Sequence, residues 1–516
     1  MTQSSQTLRP SVVLVADRTL SGNYRVLFEG IFGTMQTTST PRFMMRHLLS
    51  PPMPTDAAGR AKAAPLGLRR VESALRAHGL TEADVAVATP ETLSRLMGPW
   101  TKVVAVSSSD PLGQAMSNTT THWFCGGELY TAKFTAEMMH RINTAKQQYG
   151  FTVIAGGAGA WQWAADPAAT QRQGIDTVFE GYFESAGPAL IESILAGGAP
   201  PAPVSEQGTC LDAIAPIRGA SLMGALELSR GCGNGCTFCT SSAKAMVHLP
   251  QDLILADLEA NAAAGLRAVV SGSEDFFRYG ARGWKLNPAA LCQLLEAMRK
   301  AADLSFMQID HANVASIVQL EKSELKEIRR LLTWGRPCEY LWVNVGVESA
   351  SGRLIGANGA GKLGPFAAGD WADLVRLAAA RLRESGFFPV FSIVLGLPGE
   401  TPDDIAATHR LVRELSTGPC VIFPVFYVPA MSGDPAPEFT TADMRADHLA
   451  LFSECYELNF KRVPLLFWDN QRAGGVSWLR RSVYQTLGRG EVMLWRRRFA
   501  RLAGSIAAKE AKAPHA

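Results

Sequence analysis

Three cysteines lie within eight residues, at Cys232, Cys236 and Cys239, in the run Arg230-Gly-Cys-Gly-Asn-Gly-Cys-Thr-Phe-Cys. Thiolates at such short spacing favour iron–sulfur clusters, zinc or copper(I). A four-iron cluster normally takes four thiolates, whereas this local set ends at three, which leaves one iron open to another ligand. This loop constrains the fold of the chain more than any other feature, because its neighbours have to enclose it.

Zinc and disulfide bonds are the alternatives for these cysteines. A structural zinc site needs a fourth cysteine or histidine, commonly in a second paired motif. The next candidates along the chain, His248 and Cys292, form no such pair. Disulfides are disfavoured because the chain has nine cysteines, an odd number, and no secretory signal at its first residues. The spacing therefore favours a cluster.

Length and composition predict a globular protein with more than one domain, since the chain has 516 residues, of which 47% are hydrophobic. The net charge of +3 is too small to predict a nucleic-acid partner. The sequence contains no apolar run that approaches the roughly 18 residues of a transmembrane segment. We therefore expect a cytoplasmic protein, in a compartment where thiols stay reduced.

The middle of the chain alternates strand-like apolar runs with helical patterns, which is typical of parallel β/α units. The predicted strands are Leu222–Leu228, Leu266–Ser271, Leu304–Ile309, Leu341–Val347, Pro389–Leu395 and Val421–Val428. The predicted helices are Asp252–Ala264, Pro288–Ala301, Ser323–Leu332, Trp371–Glu384 and Pro402–Leu415. The cysteine loop directly follows the first strand, and in barrels of such units the chemistry lies at the carboxyl ends of the strands.

The C-x3-C-x2-C spacing and this series of units resemble the radical S-adenosylmethionine (SAM) enzymes. The resemblance implies a partial (β/α)6 barrel and a [4Fe-4S] cluster held by Cys232, Cys236 and Cys239. It further implies that the open iron binds the amino and carboxylate groups of SAM, and that a donor such as flavodoxin or ferredoxin supplies an electron.

Segments at two further strand ends resemble SAM-contacting segments of this family. Ser271-Gly-Ser-Glu-Asp resembles a Gly-Gly-Glu segment whose carboxylate accepts a hydrogen bond from the SAM ammonium, so we predict Glu274 for that role and Asp275 as its alternative. Both outer glycines of that segment are serine here. The segment that begins at Val343 resembles one that contacts the ribose and carboxylate, with Asn344, Glu348 and Ser349 as candidates.

Gly396-Leu-Pro-Gly-Glu-Thr, after the fifth predicted strand, resembles a segment that packs around the adenine, with Gly396 as the candidate. A strand-to-helix turn explains Glu400 and Thr401 equally well, because Thr401 is a good N-cap and Pro402 suits the first helical position.

Residues 11–205 form a second α/β series, whose pattern predicts a doubly wound sheet with ligands outside the carboxyl ends of its strands. The predicted strands are Val12–Ala16, Val85–Ala88, Val103–Ser107, Val153–Ala155 and Thr177–Glu180, and the helices include Gly67–Ala77 and Thr135–Gln148. A Rossmann dinucleotide site is disfavoured, because no G-x-G-x-x-G follows the first strand.

A flavodoxin-like cobalamin-binding domain before a radical SAM barrel is a recurring arrangement, which this chain resembles in order and length. The resemblance implies cobalamin in small polar loops after the strands, with the candidates Asp17, Asn23, Tyr24, Ser107, Asp110, Ser117, Asn118, Gly156 and Gly157. The Asp-x-His-x-x-Gly motif that gives cobalt a histidine is absent. The group on the lower face of cobalt stays open among Arg69, Tyr24, Asn118 and His122, each also explained as an ordinary surface or helix residue.

The fold class predicted for the whole chain is α/β. Its parts are a disordered N-terminus at 1–10, a flavodoxin-like or Rossmann-like domain at 11–205, a radical SAM domain at 220–430 and a helical region at 431–516. In the last region, arginines alternate with aromatic residues, as in Trp478-Leu-Arg-Arg. This pattern favours a helix whose apolar face packs on the barrel over one that binds a membrane surface or an anionic substrate.

Among radical SAM enzymes, the chain most resembles the cobalamin-dependent C-methyltransferases, which implies methylation of a carbon in a small-molecule or peptide substrate. Two alternatives stay open. One is a cyclase or another carbon–carbon bond-forming enzyme with the same cofactors. The other is a radical SAM enzyme whose α/β domain binds substrate or a partner and no cobalamin.

Overall fold

The computed structural model describes residues 8–201, 203–206, 208–334, 338–430 and 436–511. Most of the N-terminus predicted to be disordered, and residues 431–435 and 512–516 of the predicted helical region, lie outside this description. Two compact units divide the chain. The first contains Met1–His122, Gly126–Leu226 and Leu249–Leu266, and the second contains Trp123–Cys125, Glu227–His248 and Arg267–Ala516.

The first unit is built on a parallel sheet of strands β1 to β6: Val12–Ala16, Val85–Ala88, Val103–Ser107, Thr152–Gly156, Thr177–Gly181 and Val204–Glu206. Their order is β2-β1-β3-β4-β5-β6, and the paired strands are parallel. Alternate residues of β1 enter different core clusters, since Val13 and Val15 pack in one and Val12 and Leu14 in the other. Burial of both faces explains why β1 is apolar throughout.

The strand order places a topological switch point between β1 and β3, as in flavodoxin-like folds, where ligands bind outside the carboxyl ends of the strands. The predicted doubly wound sheet is therefore confirmed. The longer helices before residue 200 are α1 to α5: Leu27–Thr34, Leu66–Ala77, Met116–Cys125, Tyr130–Tyr149 and Phe183–Leu195. Shorter helical segments are Arg42–Met44, Met45–Leu49, Leu93–Leu96, Ala160–Ala165 and Pro167–Arg172, and the short strand Ala63–Ala64 pairs with Ala220–Ser221.

Helix α6, at Gln251–Ala263, packs within the first unit although it follows the cysteine loop in sequence. Its buried Asp257 accepts hydrogen bonds from the Arg70 guanidinium and from the backbone N–H of Ile217. Asn261 of the same helix accepts from the backbone N–H of Ser221 at 2.8 Å.

The predicted domain limits at 205, 220 and 430 stay predictions. The two units are defined by how compactly their residues pack, and such units need not begin and end where family domains do.

The second unit contains two sheets that follow one another along the chain. The first has the order β9-β8-β7, from β7 at Ala225–Glu227, β8 at Ala268–Gly272 and β9 at Phe306–Gln308. The second has the order β10-β11-β12-β13, from His311–Ala312, Leu341–Glu348, Phe387–Leu395 and Val421–Phe426. Pairing is parallel from β10 to β13 and between β8 and β9. The chain passes from the first unit to the second within β7.

Helices α7 to α11 alternate with these strands: Pro288–Ala301, Lys322–Leu332, Gly352–Gly359, Trp371–Glu384 and Pro402–Ser416. Short helical segments lie at Leu211–Ala213, Leu222–Gly224, Phe276–Arg278, Val314–Ile317, Ala360–Leu363 and Ala368–Asp370. Each predicted strand and helix of the barrel is present, with bounds that differ by a few residues. The first predicted strand, Leu222–Leu228, was too long, because Leu222–Gly224 form a short helical segment and the strand begins at Ala225. The predicted partial β/α barrel is confirmed.

The chain ends in two long helices, α12 at Ala446–Ala473 and α13 at Trp478–Glu510. Trp495 and Phe499 of α13 pack against Phe452 and Tyr456 of α12 in an aromatic cluster. The predicted helical C-terminal region is thus confirmed. Of the tryptophans of α13, Trp495 is buried in the cluster, whereas Trp478 is 66% exposed. Among the described residues, helices long enough to cross a bilayer are too polar to do so.

Candidate iron–sulfur and SAM site

The cysteine loop is closed at its base by a two-residue antiparallel ladder between Ser229–Arg230 and Val247–His248. Gly231, Gly233 and Gly235 have φ values of 70°, 71° and 66°, in the left-handed region that favours glycine. A Cβ atom on Gly231 would lie 2.6 Å from the carbonyl oxygens of Lys244 and Ala245. The glycines therefore let the backbone turn tightly around the three cysteines.

Hydrogen bonds from several elements hold the loop in place. The hydroxyl of Ser242 donates to the carbonyl oxygens of Cys236 and Cys239 at 2.8 and 2.6 Å. The backbone N–H of Thr237 donates to the carbonyl oxygen of Asn358 at 2.9 Å. Buried Arg278 donates to the carbonyl oxygen of Cys232 at 3.0 Å. The three cysteines are thus carried on a loop fixed from both sides.

Burial raises the pKa of each of the three thiols, to about 11 for Cys232 and about 12 for Cys236, while Cys239 shifts in the same direction. Thiols at 232 and 236 are 8% exposed. Metal ligation requires the thiolate, so iron bound here has to displace three protons that the buried site otherwise retains. Charge on Cys239 raises the pKa of both other thiols, which shows that the three act on one another.

Across the part of the chain that the structure describes, no three His, Cys, Asp or Glu side chains converge as the ligands of a single metal ion do. A cluster makes a different demand, because its cysteine ligands are spread over an inorganic core of several irons. Soft, buried, mutually interacting thiols on one glycine-rich loop satisfy that demand. The residues present therefore fit a [4Fe-4S] cluster with three protein ligands.

Glu274 and Asp275, which both follow β8, differ in burial and in hydrogen bonding. Glu274 is exposed. Its negative charge raises the pKa of the Cys232 and Cys239 thiols, so the carboxylate is close enough to the cysteine loop to act on it. Asp275 is completely buried and accepts hydrogen bonds from the hydroxyl of Ser316 and the backbone N–H of Asn313. Its carboxylate is occupied by the protein, and burial raises its pKa to about 6.

Three predicted SAM residues lie on or beside β11. Asn344 is partly exposed and is in register with His311 of β10. Glu348 is buried, has φ of 59° and forms an ion pair with Lys362. Ser349 lies directly after the strand, and its hydroxyl is 3.1 Å from that of Thr408 on α11. Of the three, Asn344 is the least buried, whereas Ser349 contacts α11.

The turn after β12 is explained by packing. Gly396 has φ of 80°, and a Cβ atom there would lie within 2.4 Å of the Phe439 ring. Glu400 accepts from the backbone N–H of Gly396 at 3.2 Å and contacts His448 at 2.8 Å. Thr401 forms a capping box with Asp404 at the start of α11. These contacts support the capping interpretation for Glu400 and Thr401.

In the first unit, the predicted cobalamin residues follow the strands at the switch point. The backbone N–H of Asp17 donates to the carbonyl oxygen of Ser107 at 3.4 Å, which joins the ends of β1 and β3. Burial raises the pKa of Asp17. Gly157, with φ of 92°, is exposed, and a Cβ atom there would lie 2.5 Å from the Ser107 hydroxyl. The loops after β3 and β4 therefore touch; Gly156 is the last residue of β4, and Ser117 is exposed at the start of α3.

Other predicted cobalamin residues form hydrogen bonds within the protein. Asp110 is buried and accepts from Asn118, Thr131 and Gln162 side chains. The Tyr24 hydroxyl donates to the carbonyl oxygen of Thr19 at 2.7 Å, and partly buried Asn23 donates from its backbone N–H to the Pro51 carbonyl. These contacts organise the loops in which they lie.

Arg69 and His122, two candidates for the lower face of cobalt, also contact other protein groups. The Arg69 guanidinium donates to the carbonyl oxygens of Ala220 and Ala61 and pairs with Glu72. The His122 ring lies 2.6 Å from the carbonyl oxygen of Gly127. Both contacts stabilise local structure and leave the lower face unassigned.

Three residues at the site were not predicted from the sequence: Arg278, His311 and Lys362. Arg278 anchors the cysteine loop and lies 4.2 Å from the Trp284 ring centroid. Partial burial would lower the pKa of His311, but Asp310 and Glu274 raise it to about 9. Lys362 lies in the short helical segment Ala360–Leu363, and the local sequence carries no signal for its ion pair with Glu348.

Comparisons with known proteins agree with this geometry. Residues 226–412 match the family model of the radical SAM superfamily. No curated protein matches the chain. The fold is similar to that of TsrM, a radical S-adenosylmethionine methyltransferase from Kitasatospora setae, solved with tryptophan substrate and the SAM analogue aza-SAM. That match has a TM-score of 0.51 and 16% identity and covers 81% of this chain and 73% of TsrM.

A second TsrM structure, with cobalamin and a [4Fe-4S] cluster bound, matches with a TM-score of 0.50 and 15% identity, over 81% of this chain and 72% of that one. At these identities the likeness shows a shared fold. The family match covers β7, the cysteine loop and the strands through β12. Residues 226–412 are therefore a radical SAM domain, whose family uses SAM and a [4Fe-4S] cluster.

Proposed function

We propose that this chain is a cobalamin-dependent radical SAM methyltransferase that methylates a carbon atom of a small-molecule or peptide substrate. The observation that carries the proposal is the order of parts along one chain. A flavodoxin-like parallel sheet precedes a radical SAM domain whose cysteine loop follows its first strand. TsrM, a methyltransferase whose solved structures contain cobalamin and a cluster, has a similar fold over most of its length.

In the second unit, each residue of the proposed site has a specific task. Cys232, Cys236 and Cys239 hold the cluster, and the loop anchors keep their geometry when iron enters or leaves. Exposed Glu274 is the carboxylate available to a SAM ammonium group, since Asp275 is already occupied. Together, the cluster, SAM and cobalamin supply one-electron chemistry and a transferable methyl group.

In the first unit, the switch point between β1 and β3 is the proposed cobalamin site. Ligands of flavodoxin-like sheets bind outside the carboxyl ends of the strands at this point. Ser107 ends β3, exposed Gly157 follows β4 and exposed Ser117 lies in the first turn of α3, and these are the residues proposed to contact the ring. The internal hydrogen bonds of Asp110 keep the loop after β3 in shape. A rigid, small-residue rim of this kind suits a large flat ring.

The proposed setting is the cytoplasm, with flavodoxin or ferredoxin as electron donor. Nine free cysteines support a reducing compartment, where an oxygen-sensitive cluster also survives. A low-potential donor is needed because the radical SAM cluster acts in its reduced form.

The experiment that tests the proposal is anaerobic purification of the full chain with hydroxocobalamin, followed by iron, sulfide and cobalt analysis. About four irons and one cobalt per chain are expected, as one cluster and one cobalamin require. Four irons without cobalt would contradict the methyltransferase proposal and would favour an α/β domain that binds substrate or a partner. Binding of both cofactors, with products that carry a new ring and no added methyl, would favour the cyclase.

A further inference from the structure

We propose that the buried Lys362–Glu348 ion pair sets the reduction potential of the iron–sulfur cluster, with the Lys362 ammonium group as the charge that favours the reduced cluster. The inference rests on the proposed function, because it requires a cluster at the three cysteines. It assigns a role to two residues that cluster ligation itself does not need.

The backbone around Lys362 is fastened to the cysteine loop. The carbonyl oxygen of Asn358 accepts from Thr237, and the backbone N–H of Gly361 donates to the carbonyl oxygen of Asn234 at 3.1 Å. A Cβ atom on Gly361 would lie 2.6 Å from the Asn234 Cα atom. The absence of a side chain there lets this segment approach the loop closely, so Lys362 cannot move away from the cysteines without breaking these contacts.

The ion pair itself is buried. The side chains of Lys362 and Glu348 are 10% and 7% exposed. They lie over the backbone of Gly346, where a Cβ atom would be 2.6 Å from the Lys362 Nζ atom. Glu348 reaches this position through a β-bulge after Gly346 and a left-handed backbone that is uncommon for a residue other than glycine. Local strain of this kind persists where the surrounding structure requires it.

Lys362 is held next to the cysteine loop, because it lies three residues after Gly359, where a Cβ atom would be 2.8 Å from the Cys236 Sγ atom. In agreement with this position, the Lys362 charge lowers the pKa of each thiol, in opposition to burial. Glu348, by contrast, raises the pKa of Cys236. Burial would lower the pKa of Lys362, but Glu348 and Cys236 raise it overall, so the ammonium group stays charged. A fixed cation that stabilises thiolates also stabilises the extra negative charge that the cluster gains on reduction.

The redox step is the gain of one electron by the oxidised cluster, with dithionite as the donor in the experiment, and no bond forms or breaks in the protein. The test is a redox titration of the reconstituted full chain without SAM, followed by electron paramagnetic resonance. Lys362→Gln should lower the midpoint potential and Glu348→Gln should raise it. Each change should alter the ratio of reduced to oxidised cluster at fixed potential about tenfold, which equals about 59 mV for a one-electron couple.

Opposite signs distinguish this role from a structural one, because damage to the site would move both variants in one direction or remove iron. Lys362→Arg keeps the charge and should keep the wild-type potential. Lys322→Gln, which removes the lysine of an exposed ion pair with Glu384, should leave the potential unchanged. If the single variants lose iron, the double variant Glu348→Lys/Lys362→Glu, in which the two charges are exchanged, is titrated instead. Its cluster should have a lower midpoint potential than that of the wild type.

Equal potentials in wild-type and Lys362→Gln proteins that both contain four irons would overturn this inference and leave the proposed function intact. Failure of the wild-type chain to bind a cluster would instead overturn the proposed function. If the exchanged pair holds a cluster at the wild-type potential, the inference is also wrong.

Discussion

The Arg278 guanidinium group donates a hydrogen bond to the carbonyl oxygen of Cys232 while its plane lies over the Trp284 ring. A second donation, to the carbonyl oxygen of Gly283, is 3.3 Å long. The cysteine that begins the cluster motif is therefore fixed by an arginine from the segment after β8, and that arginine is fixed by a tryptophan.

Arg278→Met should loosen this end of the loop. Loss of the hydrogen bonds from a charged donor should lower the free energy of unfolding by about 1.5–3 kcal/mol. Iron should also leave the reconstituted protein faster, which chelation by bathophenanthroline disulfonate measures. Arg282→Met changes an exposed arginine nearby and serves as the control. Equal rates of iron loss in the two variants would show that Arg278 does not hold the loop.

Cys236→Ala should abolish the charge-transfer absorption of the reconstituted protein, because a cluster cannot keep three protein ligands without this thiolate. Cys292→Ala is the matched control, since Cys292 lies on α7 outside the motif and is partly buried like Cys239. Absorption spectra and iron content are the measurements. A full spectrum after Cys236→Ala would remove this residue from the ligand set.

Glu274→Gln and Asp275→Asn should differ in what they damage. Glu274→Gln should weaken SAM binding by about 1.5–3 kcal/mol, the size of a hydrogen bond to a charged group, with little change in stability. Asp275→Asn should instead lower the free energy of unfolding by about 1–3 kcal/mol, because it places an amide where the carboxylate now accepts hydrogen bonds from two donors. Calorimetric titration with SAM and denaturant unfolding separate the two, and the reverse pattern would exchange their roles.

The cysteine spacing and the apolar runs were enough to predict the barrel, because both are local patterns along the chain. The choice between Glu274 and Asp275 was beyond such patterns, since it depends on Ser316 and Asn313, which only the folded chain brings near. Lys362 escaped prediction for the same reason. The sequence predicts Glu348 as a SAM contact, and the ion pair of its carboxylate with buried Lys362 is visible only in the folded chain.

His311 should make stability depend on pH. Its pKa in the folded protein is about 9, above the ordinary value of 6.5, so folding favours the protonated ring. The resulting stabilisation is complete below pH 6.5 and is lost as the pH rises through 9. Because the side chain is 45% exposed, solvent screening limits the effect to about 1 kcal/mol. The difference in unfolding free energy between wild type and His311→Gln should therefore shrink from pH 6 to pH 9.5, and a constant difference would contradict this.

Gly359→Ala tests how closely α9 approaches the cluster ligands. A Cβ atom there would lie 2.8 Å from the Cys236 Sγ atom and 3.4 Å from its Cα atom. The backbone of Gly359 is extended, with φ of 173°, so alanine adds a steric conflict with the cysteine and no backbone strain. Iron content after reconstitution should fall while the far-ultraviolet circular dichroism stays native.

Gly356→Ala provides the control within the same helix, because a Cβ atom there meets nothing within 4 Å. That substitution should stabilise the helix by about 0.5–1 kcal/mol and leave iron content unchanged, since alanine favours helical backbone. Equal iron content in the two variants would mean that the Cys236 sulfur can move away from the added methyl group and still bind iron. In that case, the cysteine loop would be adaptable at the position where its ligand touches α9.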